Sequence, residues 1–323
     1  MRYFKQFIQP FLPLIPFTSL AVGAFMVLSC MESPTSDAGS FGTDWTVRDT
    51  SEATLWWSAS TGSELVAVGN GETSGIALTS PDGGLHWTPH TFPGTTSLFA
   101  VAWTGHKLVA IGNAGLSSVV STSTNGTTWT AADSISSGEL AALTWTGSKL
   151  VAVGDNSAGT SSLLLTSTDG VTWAPQFAGT SSYLVGVTSG AGMLVAVGFN
   201  GTIVTSSDGV TWTPQTSGTT SALYYVAWLN NQFVAVGDSG TVLTSPTGKT
   251  WTSQNSATLS VLNGVTWTGS RFVAVGTGGA VVTSPDGVTW TPQTSATTHP
   301  LNYVMWTGNK LVAVGYSVIV SSP

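Results

Sequence analysis

The ordinary acid–base and ion-binding chemistry open to this 323-residue chain rests on 15 Asp and Glu, 8 Lys and Arg, and 4 His. Charged residues are 7% of the chain, where a globular domain typically has about 25%. Glycoside cleavage needs two carboxylates facing one sugar. Four acids, Asp82, Asp169, Asp208 and Asp286, recur in one repeated turn, and Glu64 lies in another turn at the same end of its repeat. Glu32, Asp37, Asp44, Asp49 and Glu52 lie near the N-terminus. Glu72, Asp133, Glu139, Asp155 and Asp238 are left for the opposite end of the repeats. Glu72, Asp155 and Asp238 come from different repeats, so no close pair is expected. His86, His90, His106 and His299 lack metal-ligand spacing, and no nucleophile elbow or phosphate loop occurs. The expectation is a protein that is not an enzyme and needs no metal or other cofactor.

Recognition is the chemistry that remains. After a recurring Leu stand the pairs Trp56-Trp57, Phe99-Ala100, Ala141-Ala142, Val185-Gly186, Tyr224-Tyr225, Asn263-Gly264 and Asn302-Tyr303. Two readings stay open. Trp56, Trp57, Phe99, Tyr224, Tyr225 and Tyr303, flanked by Asn263 and Asn302, form an aromatic platform for a peptide or glycan; or they line a channel and pack neighbouring repeats.

What positions these pairs is a repeat. A Leu/Phe-Val-Ala-Val-Gly phrase or a close variant ends at Gly69, Gly112, Gly154, Gly198, Gly237, Gly276 and Gly315, spaced by 43, 42, 44, 39, 39 and 39 residues. Each unit reads as four short strands rich in Val, Thr and Trp, punctuated by Gly and Asn. Such a unit repeating about every 40 residues is the mark of a β-propeller. The seventh unit stops at Pro323, before its last turn and strand, and Gly42-Thr43-Asp44-Trp45 aligns with Gly287-Val288-Thr289-Trp290. The expected fold is all-β: seven blades of four antiparallel strands over residues 40–323, the last blade closed by the N-terminal strand. A closed ring leaves no long free sheet edge, so a monomer is expected.

Residues 1–29 run from Arg2 and Lys5 through an apolar stretch to Val27-Leu28-Ser29, followed by the only cysteine, Cys30. That layout is an export signal, and its end resembles a bacterial lipobox. The resemblance implies a lipidated Cys30, a polar tether over 30–39, and a location in the cell envelope, held to the membrane by lipid. Beyond the leader, six basic residues face fifteen acidic ones, which excludes the basic surface that nucleic acid requires.

The repeated turns read Ser80-Pro-Asp82-Gly-Gly-Leu-His-Trp87, Ser123-Thr-Asn125-Gly-Thr-Thr-Trp129 and Ser167-Thr-Asp169-Gly-Val-Thr-Trp173. Ser206 to Trp212, Ser245 to Trp251 and Ser284 to Trp290 continue the series. They resemble the Asp-box (BNR) repeat of sialidase-like propellers, over residues 40–323. The blade text is most similar to the photosystem II assembly/stability factor-like propellers, which implies an exported, partner-binding protein. Those factors carry Asp-Gly-Gly turns and basic patches; here only the first box has the double glycine, and Arg48 and Arg271 are the sole arginines after the leader. Two arginines cannot make a sialidase triad. The implied function is a lipid-anchored scaffold for an envelope protein or peptide, with glycan binding as the alternative.

Overall fold

The computed structural model describes residues 41–323 apart from 51–52, 93, 96, 116 and 157–160. Cys30 and the leader lie outside the described residues. The remainder is a seven-bladed propeller in which every blade is four antiparallel strands. In blade 5, counted from the axis outward, these are Leu223–Leu229, Gln232–Gly237, Val242–Ser245 and Thr252–Gln254. The inner strands of blades 1, 2, 4, 6 and 7 are Thr54–Ser60, Ser97–Trp103, Leu184–Gly190, Leu262–Trp267 and Leu301–Trp306.

Seven apolar clusters, one at each junction between neighbouring blades, hold the ring together. The Val-Ala-Val of the second strand, Val-Ala-Ile in blade 2, supplies both sides. In blade 5, Val234 and Val236 face blade 6 while Ala235 faces blade 4, the alternation of a strand buried on both faces.

Thr46–Asp49 pairs with Val318–Ser322 as the outer strand of blade 7. The seam also rebuilds a turn. Gly42 N–H donates to Ser322 Oγ at 3.0 Å and Trp45 Nε1 donates to Gly42 O at 3.0 Å. In blade 6, Gly287 N–H donates to Ser284 Oγ at 2.8 Å and Trp290 Nε1 to Gly287 O at 3.0 Å. The serine and the glycine–tryptophan part of one box thus come from opposite ends of the chain.

One junction departs from the expected four-strand units. Residues Thr130–Trp145 run as one strand, outer in blade 2 and then inner in blade 3, fusing the two into a seven-stranded sheet. Corresponding links elsewhere turn at left-handed residues such as Gly94, Gly179, Gly218 and Ala257. The link AADSISS after Thr130 continues the strand instead.

Candidate functional site

The two faces of the ring differ. One, the box face, holds the turns between first and second strands and the Asp-box turns. The other, the mouth, holds the turns between second and third strands and the links from blade to blade.

On the box face the acids serve the backbone. Asp208 Oδ1 accepts the N–H groups of Val210 and Thr211, both at 2.8 Å, and the Ser206 hydroxyl at 2.9 Å. These bonds to the ionised form bring its pKa down to about 2. Asp169 is lowered to about 2 in the same way, and Asp82 and Asp286 also lie below the usual carboxylate range. Asn125 stands in for Asp in blade 2, accepting from Thr127 and Thr128. Two turn lysines also hold these boxes. Lys107 Nζ donates to Asp169 O, and Lys149 Nζ to Asp208 O at 2.8 Å, each reaching the next blade's box.

At the mouth, each inner strand carries a bulge just after its fixed Leu. Leu223 pairs with Gly237 and Tyr225 with Val236, leaving Tyr224 as the extra residue, and the other blades repeat this. The bulge explains the glycine that ends every repeat phrase. A Cβ at Gly69, Gly112, Gly154, Gly198, Gly237, Gly276 or Gly315 would collide with the carbonyl oxygen of the residue before the fixed Leu.

The bulge splits each pair. Its second members are Trp57, Ala100, Ala142, Gly186, Tyr225, Gly264 and Tyr303. Trp57 packs against the clusters between blades 1 and 2, 2 and 3, 3 and 4, and 5 and 6. Only a side chain lying across the axis reaches all of these. Its ring stacks on Tyr303 at 4.7 Å and lies 5.3 Å from Tyr225, while the two tyrosines meet edge-to-face at 5.6 Å. Burial drives both phenols above their ordinary pKa. Three large side chains therefore meet at the axis, with small ones at the same position in the other four blades.

The first members have separate fates. Asn263 Nδ2 donates to Leu301 O at 3.0 Å and Asn302 Nδ2 to Leu55 O at 2.8 Å, each tying its blade to the next. Phe99 is buried. Trp56 and Tyr224 are half-buried; the Tyr224 hydroxyl donates to Asp238 Oδ1 at 3.0 Å and its ring meets Phe199 edge-on at 6.2 Å. The structure brings Trp57, Tyr225 and Tyr303 together at the axis, where Trp57 and Tyr303 are half-buried. The bulge parts the two members of each pair, and the half-buried asparagines bond backbone carbonyls of the next blade.

Sequence reasoning missed the exposed groups of the mouth. Phe177 and Leu259 are 82% and 87% exposed, in the links after blades 3 and 5, and Tyr316 is exposed in blade 7. It also missed that Glu139 and Asp155 are direct cross-strand partners in blade 3. The pairing follows from the shared register, in which the residue before the fixed Leu faces the residue after the repeat Gly, as Thr54 faces Asn70 and Ser97 faces Asn113.

No protein-family model and no curated protein sequence matches this chain. The fold has solved neighbours. YCF48 from Cyanidioschyzon merolae is similar at TM-score 0.66 and 17% identity, covering 86% of this chain and 98% of that one. A YCF48 bound to D1 peptide gives TM-score 0.69 at 14% identity, covering 87% and 94%. A catalytically inactive virginiamycin B lyase from Staphylococcus aureus, with quinupristin, gives TM-score 0.73 at 10% identity, covering 86% and 99%. At these identities the likeness is one of fold, and propellers carry many functions.

Proposed function

We propose that the chain is a non-catalytic scaffold whose mouth face holds a protein or peptide, exported by residues 1–29 and anchored in a bacterial envelope through lipid on Cys30. The observation that carries the reading is the set of exposed apolar side chains on the mouth. Among the described residues, Trp57, Tyr225 and Tyr303 pack on one another at the axis. Phe177, Leu259 and Tyr316 stand exposed on the mouth, and large exposed apolar side chains are what protein interfaces bury. The YCF48 neighbour bound to a peptide lends support by likeness of fold.

Glycan binding is favoured by one observation, a shallow groove of about 730 Å³ at blade 4 lined by Thr180, Asn200, Gln215, Ser217 and Thr219 among others. It offers hydroxyls and amides but no aromatic face, so protein binding stands first.

The test is photo-cross-linking in the native envelope from Phe177 and Leu259 on the mouth and from Val171 and Val288 on the box face. A discrete protein adduct from the mouth positions alone is expected. Adducts from neither face, or equally from both, would sink the reading.

A further inference from the structure

On the box face the acids bond their own backbones, but the aliphatic side chains beside them point away. The N–H groups of Val171, Val210 and Val288 each donate at 2.8 Å to the Asp of their own box, and that of Leu85 donates at 3.0 Å. Each turn thus satisfies its polar group inward and presents a hydrocarbon tip outward. Val171, Val210 and Val288 are 56%, 52% and 52% exposed. The turn itself does not ask for this, because Thr127 and Lys249 hold the same place in blades 2 and 5 and exposed turns ordinarily take polar residues. The blades repeat about one axis, so the tips stand at one height and form a flat array. Five inner strands also finish at this face in or next to a partly exposed tryptophan, Trp103, Trp145, Trp228, Trp267 and Trp306. Tryptophan suits a boundary between apolar and wet surroundings.

Charge separates the two faces. Among the described residues, Lys107, Lys149, Arg271 and Lys310 lie in turns between first and second strands, and Lys249 in a box turn, so all five are on the box face. Asp44, Glu64, Asp82, Asp169, Asp208 and Asp286 share that face and bring it close to neutral. The mouth bears Glu72, Glu139, Asp155 and Asp238 and no described lysine or arginine; Arg48 is on the outer strand of blade 7, its Nε donating to Ser321 Oγ at 2.6 Å. Lys107 and Lys149 set their ammonium groups on the boxes that carry Val171 and Val210. An ammonium has three donors, enough for a box carbonyl and a phosphate oxygen together.

The described chain also enters on this face. Phe41 meets Trp306 edge-on at 4.9 Å, and Gly42 and Trp45 complete the seam box. Cys30 stands eleven positions before Phe41, a span of at most about 40 Å. A seven-residue inner strand such as Leu223–Leu229 is about 23 Å long. A bilayer meeting the mouth would therefore draw more than half of that span back along the ring.

Resting on the lipid-anchored reading, we propose that the box face lies against the bilayer surface and the mouth points away from it. The aliphatic tips and tryptophans sit at the level of the lipid headgroups, and the cations bond lipid phosphate. A lipid on Cys30 fixes distance, and this face fixes orientation. An anionic surface repels the acidic mouth and admits the near-neutral face.

The test uses full-length protein in liposomes of phosphatidylethanolamine and phosphatidylglycerol in equal amounts. A diazirine amino acid replaces Val171, Val210 or Val288 on the box face, or Phe177 or Leu259 on the mouth, and lipid adducts are read by mass spectrometry. The box positions are expected to give about tenfold more lipid adduct than the mouth positions, as an interfacial face would. Val171→Ser, Val210→Ser and Val288→Ser together should cut the adduct read from a diazirine at Lys249 several-fold. The melting temperature should hold, because the three side chains are exposed. Comparable yields from both faces, a larger yield from the mouth, no lipid adduct from either, or indifference to the triple variant would each overturn the proposal. The mass of the Cys30 peptide reports the anchor separately. An unlipidated Cys30 brings down the anchored reading, while the ratio of adducts between the faces still decides the orientation.

Discussion

The indole of Trp57, from blade 1, stacks on the ring of Tyr303, from blade 7, at 4.7 Å and an interplanar angle of 26°. The two are 246 residues apart in sequence and meet because the ring closes. They stand on the axis with Tyr225, and small residues in the other blades make room. A Cβ at Gly186 would press on Tyr224 O and Val197 Cγ2, both 3.1 Å away, and one at Gly264 on Tyr303 Cα at 3.2 Å. Inner strands there approach more closely than a side chain allows.

Trp57→Ala should therefore destabilise the ring by up to about 3 kcal/mol, the lower end of the range for deleting a core aromatic, since Trp57 is half-buried. Thermal melting checks this. An unchanged melting temperature would show that Trp57 is an exposed binding residue after all.

Asn302→Ala leaves Leu55 O without its side-chain donor at the junction of blades 7 and 1, where Leu55 is 1% exposed. A loss of about 1–2 kcal/mol is expected in denaturant unfolding, with the cross-links from Phe177 and Leu259 unchanged. Lost cross-links at unchanged stability would return Asn302 to a ligand-binding role.

The rebuilt box at the seam depends on Ser322 Oγ accepting from Gly42 N–H. Ser322→Ala should cost about 1 kcal/mol and, more tellingly, speed amide exchange in Val318–Ser322 and Thr46–Asp49 while leaving blades 3–5 protected. Uniform exchange around the ring would mean that the seam is no weaker than any other junction.

Acid should weaken the box face. Asp169 and Asp208 are held down to about 2 by backbone donors, so their contribution is complete above the unfolded carboxylate value near about 4 and is lost as pH falls toward 2. The raised Asp155 has the opposite sign, since protonation relieves it, and only partly offsets the loss. Melting temperature should drop between pH 4 and pH 2. Asp208→Asn, which keeps an acceptor of the kind Asn125 provides in blade 2, should make that drop shallower, whereas Asp208→Ala should lower stability already at pH 7.

Seven blades, the four-strand unit and closure by the N-terminal strand were all legible in the sequence. Every repeat needs the same glycine under its bulge, the same serine beneath its box and the same Val-Ala-Val (Val-Ala-Ile in blade 2) between neighbours, so local requirements print themselves seven times. The fused strand Thr130–Trp145 was less visible, because its link holds the same Ser, Asp and Gly types that mark turns elsewhere.

The use of each side chain at the mouth was decided only by tertiary structure. Periodicity marked Trp56 and Trp57 as a pair, but a one-residue bulge sends Trp57 across the axis, and a one-residue change of register reverses which face a strand residue serves. Asn302 reads as a polar group available to a ligand until ring closure sets Leu55 O beside it. Glu139 and Asp155 lie 16 positions apart and become neighbours through the register of the blade 3 ladder. Repetition determines the scaffold because the same contact is specified seven times. The site rests on where single side chains from different blades converge, and the chain specifies each such convergence only once.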